Sequence, residues 1–222
     1  MKHNPFSPAY LLFILVLISF LLAFIQIGII TITLAKLGLT PRFALLLLMT
    51  SLFGSTINIP LFKIKSEPPE EPMQPVFRGL LRYAAQEFKG YTIIAINLGG
   101  AIIPVLFSVY LLFYKSLNPL EVGMAIVLVS LISYSISRPI AGFGIGMPIL
   151  LAPLLAAMIA ITIDPEQSAP LAYISGTMGV LIGADILRIR DVGKLGAPFA
   201  SIGGAGTFDG IFITGLIAVL LT

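Results

Sequence analysis

Long apolar runs separated by short polar breaks dominate the chain, and their lengths against the thickness of a bilayer decide what they form. A helix rises about 1.5 Å per residue, so about 20 apolar residues cross a hydrocarbon core of about 30 Å. Runs of that order cover residues 9–35, 42–62, 91–114, 122–137, 147–163, 169–187 and 199–221. They predict an all-α fold: a single integral membrane domain over 1–222, a polytopic transmembrane bundle of about seven spans. The first run is about 27 residues long, well beyond the roughly 7–15 residues of a signal-peptide core, and predicts an uncleaved helix.

One long polar segment interrupts the pattern, at 63–90. Its first half, Ser66-Glu-Pro-Pro-Glu-Glu-Pro-Met-Gln-Pro75, has too many prolines for a helix and predicts a linker. In its second half Val76, Phe77, Leu80, Leu81, Ala84, Ala85 and Phe88 recur at helical spacing, with Arg78, Arg82 and Lys89 on the other side. That pattern predicts an amphipathic helix lying in the interface.

Charge orients the bundle. Of the 13 Lys and Arg residues, 10 fall in segments on the N-terminal side of the membrane and 3 (Lys36, Arg42, Lys115) on the other. Cytoplasmic loops carry the excess of basic residues, so the arrangement is N-in, C-out, in the inner (cytoplasmic) membrane. Tyr10, Tyr91, Tyr114 and Tyr173 fall near the ends of the runs, where an aromatic belt would place them. The chain is 58% hydrophobic and 10% charged, with a mean hydropathy of +1.05, far from an ordinary soluble composition. The net charge of +3 belongs to these loops and gives no reason to expect nucleic acid as a partner.

The polar inventory narrows the chemistry. There are no cysteines and one histidine, His3 near the N-terminus, which excludes thiolate chemistry and disfavours histidine metal sites and Ser-His-Asp triads. No cofactor or metal is implied. Three segments combine small or polar residues with a helix-breaking proline: Phe53-Gly-Ser-Thr-Ile-Asn58-Ile-Pro60, Asn97-Leu-Gly-Gly-Ala-Ile-Ile-Pro104 and Arg138 to Pro148. Interrupted helices persist in membranes where protein or a water-filled cavity satisfies the freed backbone, and such sites bind ligands or ions. Close packing through small residues would produce the same composition. Asn58 and Asn97 either bind a ligand or cross-link helices; Arg138 is either a counter-charge or a residue snorkelling to the interface. Gly203-Gly-Ala-Gly206 lacks the preceding strand and following lysine of a phosphate loop.

Asp185 and Asp209 each lie inside a long apolar run. An ionisable group at membrane depth costs several kcal/mol, about 2.5 even on lenient insertion scales, which makes both aspartates candidate functional residues. Three roles fit. Two carboxylates sharing a proton can activate water for peptide hydrolysis. Carboxylates with broken-helix carbonyls can hold H⁺ or Na⁺ in a transporter of ions or small solutes. Each could also be a hydrogen-bonded structural group in a non-catalytic scaffold. The glycine run decides whether the pair can meet. If all eleven residues from Pro198 were helical, Asp209 would sit about 16 Å up its span. If Gly203 to Gly206 are extended, Asp209 returns towards Asp185, leaving a helix over 207–221 of about 22 Å. Gly203, Gly204, Gly206 and Thr207 border the candidate site with Asn58, Asn97 and Arg138. The partners implied are the lipid bilayer and a membrane substrate or small solute; the sequence does not define the oligomeric state.

Two resemblances attach to these residues. Gly54-Ser-Thr-Ile-Asn-Ile-Pro60, Asn97-Leu-Gly-Gly, Ser137-Arg-Pro139, Gly176-Thr-Met-Gly-Val-Leu-Ile-Gly-Ala-Asp185 and Gly203-Gly-Ala-Gly-Thr-Phe-Asp-Gly210 resemble the domain of unknown function 1614 family of prokaryotic multi-pass membrane proteins, over nearly the whole chain. Residues 169–222 resemble, in part, the catalytic pair of presenilin-type intramembrane aspartyl proteases. This second resemblance implies catalytic roles for Asp185 and Asp209; Ala184 stands at that family's tyrosine, and Gly206 lies three residues before Asp209 rather than next to it.

Overall fold

The computed structural model describes residues 19, 27–68, 77–78, 81–82, 90–140, 144–148, 150–204 and 210–222. Its helices are α1 (Ile27–Lys36), α2 (Pro41–Gly54), α3 (Ile103–Tyr114), α4 (Pro119–Ile136), α5 (Leu151–Ile163), α6 (Ser168–Val180), α7 (Ile189–Val192) and α8 (Gly210–Leu221). Among the described residues, two helices are long and apolar enough to cross a membrane, Pro119–Ile136 and Ser168–Ile186, with a third if the bent pair α1 and α2, at 114°, forms one span. Most of the expected 9–35 span lies outside the described residues.

The expectation of an all-α fold needs correcting, because three expected spans are part helix and part strand. α2 stops at Gly54 and the chain continues as β1 (Asn58–Lys65); β4 (Tyr91–Asn97) precedes α3; and β7 (Phe199–Ile202) precedes α8. β1 and β4 pair antiparallel, and β4 and β7 pair parallel, giving the order β1-β4-β7. The cause is local. Pro60 has no amide donor and biases Ile59 away from helix, while Thr92-Ile-Ile-Ala-Ile96 is rich in β-branched residues that favour strands. Hydrophobicity alone does not separate such short runs from helix.

The expected amphipathic helix is described only at β2 (Phe77–Arg78) and β3 (Leu81–Arg82), which pair as a small antiparallel hairpin rather than as helical turns. The other residues of that segment lie outside the described set. Arg138 to Pro148 contributes β5 (Arg138–Ile140) and β6 (Gly144–Gly146), also an antiparallel pair.

α6 is the centre of the bundle, packed by α3, α4, α5 and α8, and nearly every residue from Pro170 to Val180 is buried. Small residues make this possible. A Cβ on Gly179 would lie 2.6 Å from the Val129 side chain, and one on Gly176 would lie 3.4 Å from Ala156 Cβ and 3.6 Å from Ala218 Cβ. Close backbone approach through small residues is how membrane helices gain dispersion contact without a hydrophobic driving force between them. Tyr173, expected in an interfacial belt, is instead fully buried, its ring edge-on to Phe107 at 5.0 Å, because the second turn of α6 already lies inside the ring of neighbouring helices.

The two ends of the bundle differ in charge. At one end Lys36 Nζ donates to the terminal carbonyls of α8, Val219 O at 3.4 Å and Leu220 O at 3.3 Å, a favourable place for a cation on the helix dipole. Lys115 approaches Gly38 at this end. The three-stranded sheet and α7 lie at the other end, with Lys63, Lys65, Arg138, Arg188, Arg190 and Lys194.

Candidate functional site

The end that carries the sheet is where the broken segments meet. α2 gives way to strand at Ser55–Ile57, and the chain returns through β4 into a wide π-helical turn, Leu98–Ile102, before α3. The two crossings touch backbone to backbone: a Cβ on Gly99 would collide with Ser51 O and Ser55 N, and Ser51 Oγ donates to Gly99 O at 2.6 Å.

Asn97 holds this crossing together. Its Nδ2 donates to Ser55 O at 2.7 Å and to Asn58 Oδ1 at 3.0 Å, and its Oδ1 accepts from Gly100 N at 2.7 Å. The side chain is fully buried, and these three bonds satisfy an amide that would otherwise be costly there. Asn58 Oδ1 also accepts from Ser201 Oγ at 2.6 Å, which links β1 across the sheet to β7. Asn58 and Asn97, expected from the sequence as ligand-binding or cross-linking amides, are thus brought together, with Ser55 and Ser201 added.

The network continues to the carboxylate. α6 passes at Leu181 into a second π-helical segment, Leu181–Ile186, closed by Leu187 N–H donating to Ile182 O at 2.9 Å. π-helical insertions re-aim one residue and cluster at functional sites; this one carries Asp185. Asp185 is half-buried, and its Oδ2 accepts from Gly203 N at 2.7 Å. Gly203 is two residues beyond Ser201, so a chain of polar contacts runs from Ser55 through Asn97, Asn58 and β7 to Asp185.

Gly203 has φ +81° and Gly204 φ +86°, a region that glycine enters without a Cβ penalty. A Cβ on Gly203 would lie 2.6 Å from Ala101 Cβ and 2.7 Å from Ala101 N. Gly203 is therefore wedged between the two π-helical segments, touching one and hydrogen-bonding the other. Gly203 and Gly204 are non-helical, and the described part of α8 runs from Gly210. Gly206, Thr207 and Asp209 lie outside the described residues.

Arg138 does not join this network; it is exposed on β5. Arg188 is the arginine tied into the fold, although in sequence it counts only as one loop charge. Its Nη2 donates to Tyr134 O at 2.7 Å and Ser137 O at 2.9 Å, and its Nε to Ser137 Oγ at 3.3 Å. The guanidinium lies 4.2 Å from the Tyr134 ring centroid and pairs with Asp191 at 3.1 Å. It thereby caps the C-terminus of α4 and anchors the turn just beyond Asp185. Lys194 and Arg188, both hydrogen-bonded to Asp191, hold its carboxyl below the usual carboxylate range. A depressed folded-state value means a stabilising contribution that is complete at neutral pH and lost as pH falls through that value. Arg188→Gln is expected to destabilise the protein by about 2 kcal/mol, from lost charge-assisted bonds, and to flatten the acid limb of a stability–pH profile. An unchanged unfolding midpoint and profile would remove Arg188 from this role.

A shallow apolar groove on α4, lined by Pro119, Leu120, Gly123, Met124, Val127 and Leu128, lies towards the opposite end of that helix from Arg188. Its lining suits acyl chains and offers no chemistry.

A family model described as "Protein of unknown function (DUF1614)" matches residues 52–221, which takes in every candidate site residue. No curated protein and no solved structure matches the chain.

Proposed function

The chain belongs to the DUF1614 family, whose description assigns no activity, and from the site itself we propose a hydrolase of the cytoplasmic membrane, with Asp185 and Asp209 as an aspartyl pair that cleaves a membrane-embedded peptide. The observation that carries this reading is the 2.7 Å hydrogen bond from Gly203 N–H to Asp185 Oδ2, made by a glycine at φ +81°. It folds the start of the glycine run back against Asp185 instead of carrying it up a helix. Asp209 follows Gly203 by six residues in the sequence.

Two carboxylates held close share one proton. The ionised one takes a proton from water as the water attacks the scissile carbonyl, while the protonated one donates to the carbonyl oxygen; as the tetrahedral intermediate collapses, the proton taken from water passes to the leaving amine and the hydroxyl returns its proton to the other carboxylate. The backbone N–H of Gly203 steadies the charged form of Asp185. Substrate is met at the end of the bundle where extended backbone already replaces helix.

The test is cleavage of labelled single-span peptides by purified protein in nanodiscs. Asp185→Asn and Asp209→Asn should each lower the rate by about 10²–10⁴-fold with helix content unchanged. Retained cleavage in either variant would exclude the pair.

A second reading draws on the convergence of two π-helical breaks and the N-termini of α3 and α8 at one polar end, the way discontinuous helices build ion sites. It expects no peptide cleavage, and H⁺- or Na⁺-dependent solute uptake into liposomes that Asp185→Asn abolishes.

A further inference from the structure

The same end of the molecule carries a second cluster, unrelated to the carboxylates. Ser66 Oγ donates to Gly193 O at 2.6 Å, and Glu67 N donates to the same carbonyl at 2.9 Å. A Cβ on Gly193 would lie 3.0 Å from Lys65 O. This clasp sets the end of β1 directly against the turn that follows α7, joining parts of the chain 127 residues apart. It sets the strand end that bears Lys63 and Lys65 against a turn flanked in sequence by Arg190 and Lys194, and all four are exposed.

Among the described residues, one cation of the cluster, Lys194, is paired with a carboxylate. Asp191 is engaged by Arg188 at 3.1 Å and Lys194 at 3.0 Å, and Glu67 is the other described carboxylate beside the clasp. Lys63 Nζ lies 4.5 Å from the centroid of the Tyr91 ring, which steadies it without cancelling its charge. Among the described residues, neither Lys65 nor Arg190 has an ion pair or a cation–π contact.

Immediately before the lysines, β1 exposes Ile59, Leu61 and Phe62, at 42%, 50% and 47%. The strand therefore passes from exposed apolar residues to exposed cations between Phe62 and Lys63, as a segment does where it leaves acyl chains for headgroups. Strand rise of about 3.3 Å per residue puts the two lysines within one headgroup layer of that boundary.

We propose that Lys63, Lys65 and Arg190 form a binding site for the phosphates of anionic glycerophospholipids, whose acyl chains lie along Ile59, Leu61 and Phe62. Charge complementarity and the continuous apolar strip select a lipid over a soluble anion. The lipid clamps the clasp between β1 and α7, and so bears on the turn that follows Asp185.

The test compares thermal unfolding of the full chain in nanodiscs of phosphatidylcholine alone and of phosphatidylcholine with phosphatidylglycerol, with lipid retention read by native mass spectrometry. Phosphatidylglycerol should raise the midpoint and be retained as an adduct. The triple variant Lys63→Gln/Lys65→Gln/Arg190→Gln should lose both effects, with retention weakened by about fivefold per charge removed, while its midpoint in phosphatidylcholine stays near that of the parent. A charge-matched variant, Arg42→Gln/Lys115→Gln/Arg138→Gln, should keep both. The proposal is overturned by equal lipid-dependent shifts in the two variants, by no shift in the parent, or by inorganic phosphate in phosphatidylcholine nanodiscs reproducing the whole shift, which would identify a free-anion site.

Discussion

Gly203→Ala should destabilise the protein by about 2–5 kcal/mol and abolish whatever activity Asp185 supports. Two costs add. An alanine held at φ +81° pays roughly 1–2 kcal/mol for the left-handed region, and its methyl group would meet Ala101 Cβ at 2.6 Å, Ala101 N at 2.7 Å and Gly100 C at 2.8 Å. Backbone atoms cannot step aside as a side chain can, so overpacking of about 1–3 kcal/mol is expected as well. Relief requires the 203–204 turn to shift, which moves the N–H away from Asp185. Chemical denaturation in detergent measures the first effect and the activity assay the second. Parental stability in this variant would show that the turn is not wedged against the π-helical segment before α3.

Asn97→Leu is the second large effect. The substitution keeps volume and burial but leaves Ser55 O, Gly100 N–H and one lone pair of Asn58 Oδ1 without the partners they have now. A buried polar group left unpaired costs about 1–3 kcal/mol, so a loss of about 3 kcal/mol or more is expected. The effect should be non-additive with Asn58→Ala, because both remove the same 3.0 Å bond; coupling of the order of 1 kcal/mol in a double-mutant cycle is the signature. Additivity would show that the two amides act separately. Because Ser201 bonds to Asn58 and Gly203 follows two residues later, Asn97→Leu should also weaken the Asp185 contact from a distance.

How far the sequence foretold this arrangement depends on the residue. The long apolar runs announced a helical membrane protein, since periodicity and length are read directly from hydropathy, and α4, α5 and α6 lie where their runs predict. The strands did not announce themselves. Tyr91 to Asn97 is as apolar as a helix segment, and only its β-branched content and the proline in its partner strand hinted at extended backbone. The meeting of Asn58 with Asn97 follows from a register between strands 39 residues apart, which no local pattern encodes. Arg188 looked like one loop charge among several because its role comes from the end of α4, folded back 51 residues away. The glycine run left a helical and a non-helical reading open in the sequence, and its first two residues, Gly203 and Gly204, are non-helical.

The central claim is that the glycine run returns Asp209 to Asp185. The chain contains no cysteine, so introduced pairs can be cross-linked without a background. An Asp185→Cys/Asp209→Cys variant in native membranes, treated with a mild oxidant or a short bifunctional thiol reagent, is predicted to cross-link as efficiently as Asn58→Cys/Ser201→Cys, whose parent side chains touch at 2.6 Å. Disulfide closure requires Cα atoms within about 7 Å. Cross-linking of the control pair with none between positions 185 and 209, by either reagent, would contradict the account.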